Sequence, residues 1–190
     1  MTGLAALTAP VAAAAPSPPQ QKVMKLSDNC DKPSWDAIVG FQGACNVDAG
    51  GTTPDQFNAA LLKGGDNNWW INNRQETIKQ GDSLFVDNVG DEVHTFSRVI
   101  QFGKGAIPGF NVAVPNDPPA TGGDVTIDPT TGLPSFGSLI ATAVGPDADH
   151  PGFFGSPPSR TVSGLTPGTD KFRCLFHPWM RTTVTVLPNS

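Results

Sequence analysis

From Trp69 onward the chain is patterned in twos. In "DEVHTFSRVI", Val93, Thr95 and Ser97 fall on one side of a pleat and His94, Phe96 and Arg98 on the other. In "RTTVTVL", Val184 and Val186 alternate with Thr183 and Thr185. A period of two predicts half-buried β-strands, and "DKFRC" reads as a further one. The Gly81-Asp82 pair marks a turn between Thr77-Ile78 and a strand running from Ser83 to Asn88. Upstream the period changes. In "TTPDQFNAALLKGG", Thr53 can cap, Pro54 suits the first helical position and Gln56 completes a capping box. Phe57, Ala60 and Leu61 then share a face, and Gly64 fits the position just past the end. This predicts one short amphipathic helix serving as structural support.

Residues 101–160 contain ten Pro and ten Gly, which excludes a long helix and most continuous central strands. Loops and small hairpins are expected there, with "DVTI" and "SLIATAV" as the best strand candidates. No repeat of 20 to 50 residues is present. The chain begins with an uncharged Ala/Leu-rich stretch and "PSPPQQ", read as an export signal without the positive residues that usually open one, followed by a Pro-rich linker, over residues 1–21. The 190 residues suit one domain. The expected division is an extension over 22–66 and a β domain over 67–190 that carries an insertion at about 101–160.

A formal charge of −5 without a basic cluster excludes a phosphate-binding surface, hence no nucleic acid partner. No stretch reaches the length of a membrane span, so no integral membrane segment is expected in the mature protein. Three cysteines in an exported chain leave one without a disulfide partner. Cys30 and Cys45 flank a short loop of the kind a disulfide closes, a link worth about 3 kcal/mol in the loop-entropy picture. Cys174 then needs another role.

Cys174 opens "CLFHPWM", which places a thiol, the His177 imidazole and the Met180 thioether at intervals of three. Soft sulfur with imidazole selects copper over magnesium, calcium or manganese. A second imidazole is needed, and His94 supplies it at the end of a strand. Two His, one Cys and a weak axial Met form the trigonal blue-copper electron-transfer set.

"KQGDSLFVDNVGDEVHTF" followed by "FRCLFHPWMRTTVTV" resembles the plastocyanin/azurin family of cupredoxins, and the Cys-x-x-His-x-x-Met loop is most similar to that of amicyanin. The resemblance covers about residues 69–100 and 160–188. It implies an all-β, Greek-key β-sandwich, the cupredoxin domain here being 67–190. It also implies one type 1 copper ion held by His94, Cys174 and His177, with Met180 axial. Thr95 occupies the position that, in the family, ties the two ligand loops together. The family's electron port is the exposed edge of the C-terminal ligand histidine, here His177, in a surface that includes Pro108, Phe110, Pro178 and Trp179. Phe96, Phe172, Phe176 and Trp179 are placed to keep the metal dry. The function implied is one-electron transfer by a secreted, extracellular or periplasmic monomer to an unidentified redox partner, without enzymatic activity.

Competing uses of the same residues explain less. A Cys/His hydrolase leaves His94 and Met180 without roles, and zinc does not favour thioether. His150 reads as a solvated loop residue, and Trp35, Trp69 and Trp70 as packing residues. Beyond His94 and His177 only His150 remains, so this chain alone cannot build the histidine-rich clusters of a multicopper oxidase or copper nitrite reductase. A copper-handling protein whose metal is cargo, and a docking domain on the same scaffold, remain alternatives to the electron carrier.

Overall fold

A computed structural model describes residues 17–39, 45, 50–119, 125–127, 134–136, 141–144 and 157–189. The export-signal reading over residues 1–16 and His150 lie outside the described residues. In chain order the elements are β1 (Gln21–Ser27), α1 (Lys32–Val39), α2 (Pro54–Leu61), β2 (Trp70–Ile71), β3 (Gln75–Lys79), β4 (Ser83–Asn88) and β5 (His94–Val99). A 3-10 turn (Pro108–Ala113), β6 (Val125–Ile127), β7 (Pro134–Phe136), β8 (Ala141–Val144), β9 (Ser159–Val162), β10 (Gly168–Arg173) and β11 (Arg181–Leu187) follow.

The strands form two mixed sheets facing each other as a sandwich. One has the order β2-β1-β4-β9 and the other β3-β11-β10-β5-β8; β6 and β7 pair as a separate hairpin. β1 runs parallel to β4 and β3 parallel to β11, while the remaining pairs are antiparallel. The period-two pattern explains the core. Met24, Leu26, Leu84, Val86 and Val162 enter it from the first sheet, and Ile78, Phe96, Phe172, Val184 and Val186 from the second. Phe96 stacks on Phe172 with ring centroids 4.5 Å apart.

Three findings refine the expectations. The sandwich does not begin at residue 67: β1 lies between β2 and β4 and contributes Met24 and Leu26, so the stretch assigned to an extension supplies an inner strand. Lys22, Lys25 and Gln21 among its residues hid its alternation. A second helix, α1, stands inside the segment closed by the Cys30–Cys45 disulfide; Asp31 caps it by accepting the Ser34 N–H at 3.1 Å. β5 is buried on both faces, because the side carrying Thr95 and Ser97 is enclosed too.

α2 forms as expected. The Thr53 hydroxyl accepts the Gln56 N–H, and the Gln56 side chain accepts the Thr53 N–H, closing the capping box. At its other end the Gly64 N–H bonds to Leu61 O at 3.2 Å and the Gly65 N–H to Ala60 O at 3.1 Å. This is the Schellman pattern with Gly64, at φ +105°, just past the cap. Among the described residues no helix is long and apolar enough to cross a membrane.

Candidate metal centre

Residues 174–180 form the loop between β10 and β11, whose last and first residues, Arg173 and Arg181, pair across the ladder. Two internal bonds fix it: the Cys174 N–H to Met180 O at 3.0 Å, and the Met180 N–H to His177 O at 2.9 Å. Within this closed loop Cys174, Leu175, His177, Pro178 and Met180 are buried, and Phe176 and Trp179 half-buried. Cys174 is a free thiol, fully buried, with Met180 buried beside it.

β5 brings in the upstream histidine. His94 Nδ1 lies 3.9 Å from Cys174 Sγ, and His177 Nδ1 lies 3.7 Å from it. All three donor atoms fall within 4.8 Å of one another. First-row ions bind imidazole at about 2.0 Å and thiolate at about 2.3 Å. At trigonal angles these lengths place nitrogen and sulfur about 3.7 Å apart, so the spacing of the donors fits a first-row metal ion such as copper. The set also has the required chemistry: two imidazoles, a thiol and a thioether.

Thr95 joins the two ligand segments twice. Its backbone N–H donates to Cys174 Sγ at 3.4 Å, and its hydroxyl accepts the Leu175 N–H at 2.7 Å. Ser97 donates to the same hydroxyl at 3.2 Å, which explains why this side of β5 is buried.

Two carboxylates at the site were not anticipated from the sequence. Asp28, just beyond β1, accepts His94 Nε2–H at 2.6 Å with a fully buried side chain. It also accepts the Asp91 and Glu92 N–H groups at 2.8 and 3.1 Å. Glu92 lies 3.3 Å from His177 Nε2 and accepts the Trp69 indole N–H at 3.0 Å. Each imidazole thus turns one nitrogen to the sulfur and the other to a carboxylate, an arrangement that fixes ring orientation. Gly90 permits it, because a Cβ there would sit 2.2 Å from Asp28 Oδ2. "NVGDEV" contained Glu92 and the needed glycine, but the pairing of Asp28 with His94 spans 66 residues and left no local pattern.

The expected exposed edge of His177 is not observed: the residue is 3% exposed. Phe110, from the 3-10 turn, stacks on its ring at 5.5 Å, and Trp179 approaches edge-on at 5.4 Å. Phe57 of α2 and Trp69 stand 6.3 and 6.2 Å away. Phe57 also contacts Trp69, Phe110 and Trp179, at 4.8, 5.1 and 5.9 Å, so it is the centre of an aromatic roof. The helix expected only to support the fold meets, over the candidate site, the Phe110 that was expected in the electron-exchange surface. Within the expected surface Pro108 is exposed and Phe110 and Trp179 are half-buried, but Pro178 is buried. Trp179 is held by its indole N–H on Asp66 O at 3.1 Å.

The electrostatics of the bare side chains favour an ionised sulfur. Burial opposes charge on Cys174, but the His177 and His94 imidazoles outweigh it and hold the thiol well below its ordinary pKa. Burial likewise opposes charge on the histidines. Asp28 and Cys174 overcome it at His94, raised to about 10, and Cys174 and Glu92 at His177, raised to about 9. Asp28 is pulled down, its burial outweighed by His94 and two backbone N–H groups.

Fold and donor set together define a cupredoxin-like sandwich with a possible type 1 copper site. No family model matches the chain, and no curated protein does. Solved structures similar to it include cupredoxins. A purple cupredoxin from Nitrosopumilus maritimus is 13% identical, with 64% of this chain and 85% of that chain covered and a TM-score of 0.36. Auracyanin from Roseiflexus castenholzii is 18% identical over 63% and 88% of the two chains, at 0.33. Amicyanin from Paracoccus versutus is 17% identical over 61% and 71%, at 0.30. The functional reading below rests on the side-chain geometry rather than on these overlaps.

Proposed function

We propose that the chain is a type 1 copper protein that carries single electrons, with His94, Cys174 and His177 as equatorial ligands of one copper ion and Met180 as the axial one. The observation that carries the reading is the meeting of Cys174 Sγ with His94 Nδ1 and His177 Nδ1 at 3.9 and 3.7 Å inside a buried, backbone-braced loop. Bound copper would supply the Cu(II)/Cu(I) couple. The protein's part is to hold the donors in one arrangement suited to both states, leaving little to reorganise. β5, β10 and β11 provide that rigidity, and the Thr95 N–H steadies the thiolate charge.

Burial of every donor favours electron carriage over metal handling, since a cargo ion needs an exit and the roof closes over His177. Electrons are then exchanged through the half-buried rings of Phe110 and Trp179 rather than through a bare imidazole edge. The Cys30–Cys45 disulfide supports an oxidising, exported location. We read the protein as a monomer that meets its redox partner transiently and catalyses no reaction of its own.

The test is to add Cu(II) to the purified protein. The expected result is an intense visible thiolate-to-copper band, lost in Cys174→Ser, and reversible oxidation and reduction without release of metal. A colourless protein, or one binding only Cu(I), overturns the reading.

A further inference from the structure

His94 and His177 both present Nδ1 to the sulfur, which leaves both Nε2 atoms to be answered elsewhere. In each case the answer is a carboxylate held in place by a second contact. Asp28 is pinned by the N–H groups of Asp91 and Glu92, and Glu92 by the Trp69 indole. The two are also linked, because the Glu92 N–H donates to the Asp28 oxygen that faces His94.

We propose that Asp28 and Glu92 are positioning residues that bias the centre towards Cu(II) and give it a low reduction potential. The inference rests on the copper reading above. A carboxylate accepting an imidazole N–H makes the opposite nitrogen a stronger donor, and stronger donation favours the ion of higher charge. Charge balance acts in the same direction. The Cys174 thiolate and the two carboxylates outnumber the charge of Cu(II) by one and that of Cu(I) by two. In a dry interior an excess of like charge is poorly screened. The Asp28 side chain is fully buried and that of Glu92 is 18% exposed, so reduction places an electron where one unscreened and one partly screened negative group oppose it.

Asp28→Asn and Glu92→Gln keep an oxygen for each imidazole N–H while removing the charge. Each variant is expected to retain the thiolate-to-copper band and to lose at least about tenfold in preference for Cu(II) over Cu(I). A tenfold loss corresponds to a potential about 59 mV higher. Asp87→Asn, a control on β4, should leave the potential where it is. An intact band with unmoved potentials in both variants overturns the proposal. Where a variant no longer takes Cu(II), its Cu(I) affinity, measured by competition with a chelator, decides. Retained Cu(I) binding supports the proposal, and parallel loss of both ions overturns it as a merely structural role would. A wild-type protein without the band overturns the copper reading itself.

Discussion

Replacing Phe57 by Ala tests whether α2 closes the site. The side chain is 1% exposed and lies against Trp35, Trp69, Phe110, Trp179 and His177, so little can collapse into the space it leaves. Removing a buried phenyl costs about 3–5 kcal/mol. If that energy holds the roof shut, the same amount comes off the free energy of local opening. At 1.4 kcal/mol per decade the opened population rises by roughly 10² to 4 × 10³. The assay is the rate at which a thiol reagent labels Cys174 in the metal-free protein under native conditions. Leu84→Ala is the control, a core truncation of about 2–5 kcal/mol away from the roof. The expected outcome is labelling accelerated about a hundredfold or more in the Phe57 variant and little changed in the control. Equal acceleration in both variants, or none in the first, would refute the idea that α2 gates the sulfur.

Thr95→Val keeps the shape of the side chain but leaves the buried Leu175 N–H without its acceptor. It should cost about 1–3 kcal/mol, seen in urea unfolding as a lower midpoint at unchanged slope. Trp179→Ser or Phe110→Ser should slow electron transfer to a partner or to a small inorganic oxidant while the copper band stays. The metal-free protein should be most stable near pH 6.5. Below that value the depressed Cys174 and Asp28 are deprotonated in the folded state before the unfolded one, so stability rises with pH. Above it the unfolded chain gives up two histidine protons while folded His94 and His177 keep theirs to about 10 and about 9; this outweighs the single-proton gain from Cys174, which continues to about pH 8.5, so stability falls. Urea midpoints at pH 5, 6.5 and 9 check the sign on either side.

The four candidate ligands could be proposed from the sequence because three lie within one short loop and the fourth begins a strongly patterned strand. Local chemistry decided the matter, as it did for α2, whose cap residues are all within twelve positions of one another. Cys30 and Cys45 were legible by parity. What escaped was non-local. β1 carries Lys25 on its exposed face and Lys22 on the face that Met24 and Leu26 bury, and only its place between β2 and β4 makes it an inner strand. Asp28 resembles any acidic residue at a strand end until folding sets it against His94. The aromatic roof is the same kind of fact. Phe57, Trp69, Phe110 and Trp179 belong to four separate stretches, and each alone reads as ordinary packing.

Asp28 follows the first described strand, and Met180 immediately precedes the last. During synthesis the chain delivers Asp28 and His94 long before Cys174, His177 and Met180, so only one of the four proposed ligands precedes the last loop. The candidate ligands lie on β5 and on the loop between β10 and β11, which pairs with β3 at the sheet edge. On the copper reading proposed above, the ion would fasten the middle of the chain to its end, so its retention would report that these late strands have docked.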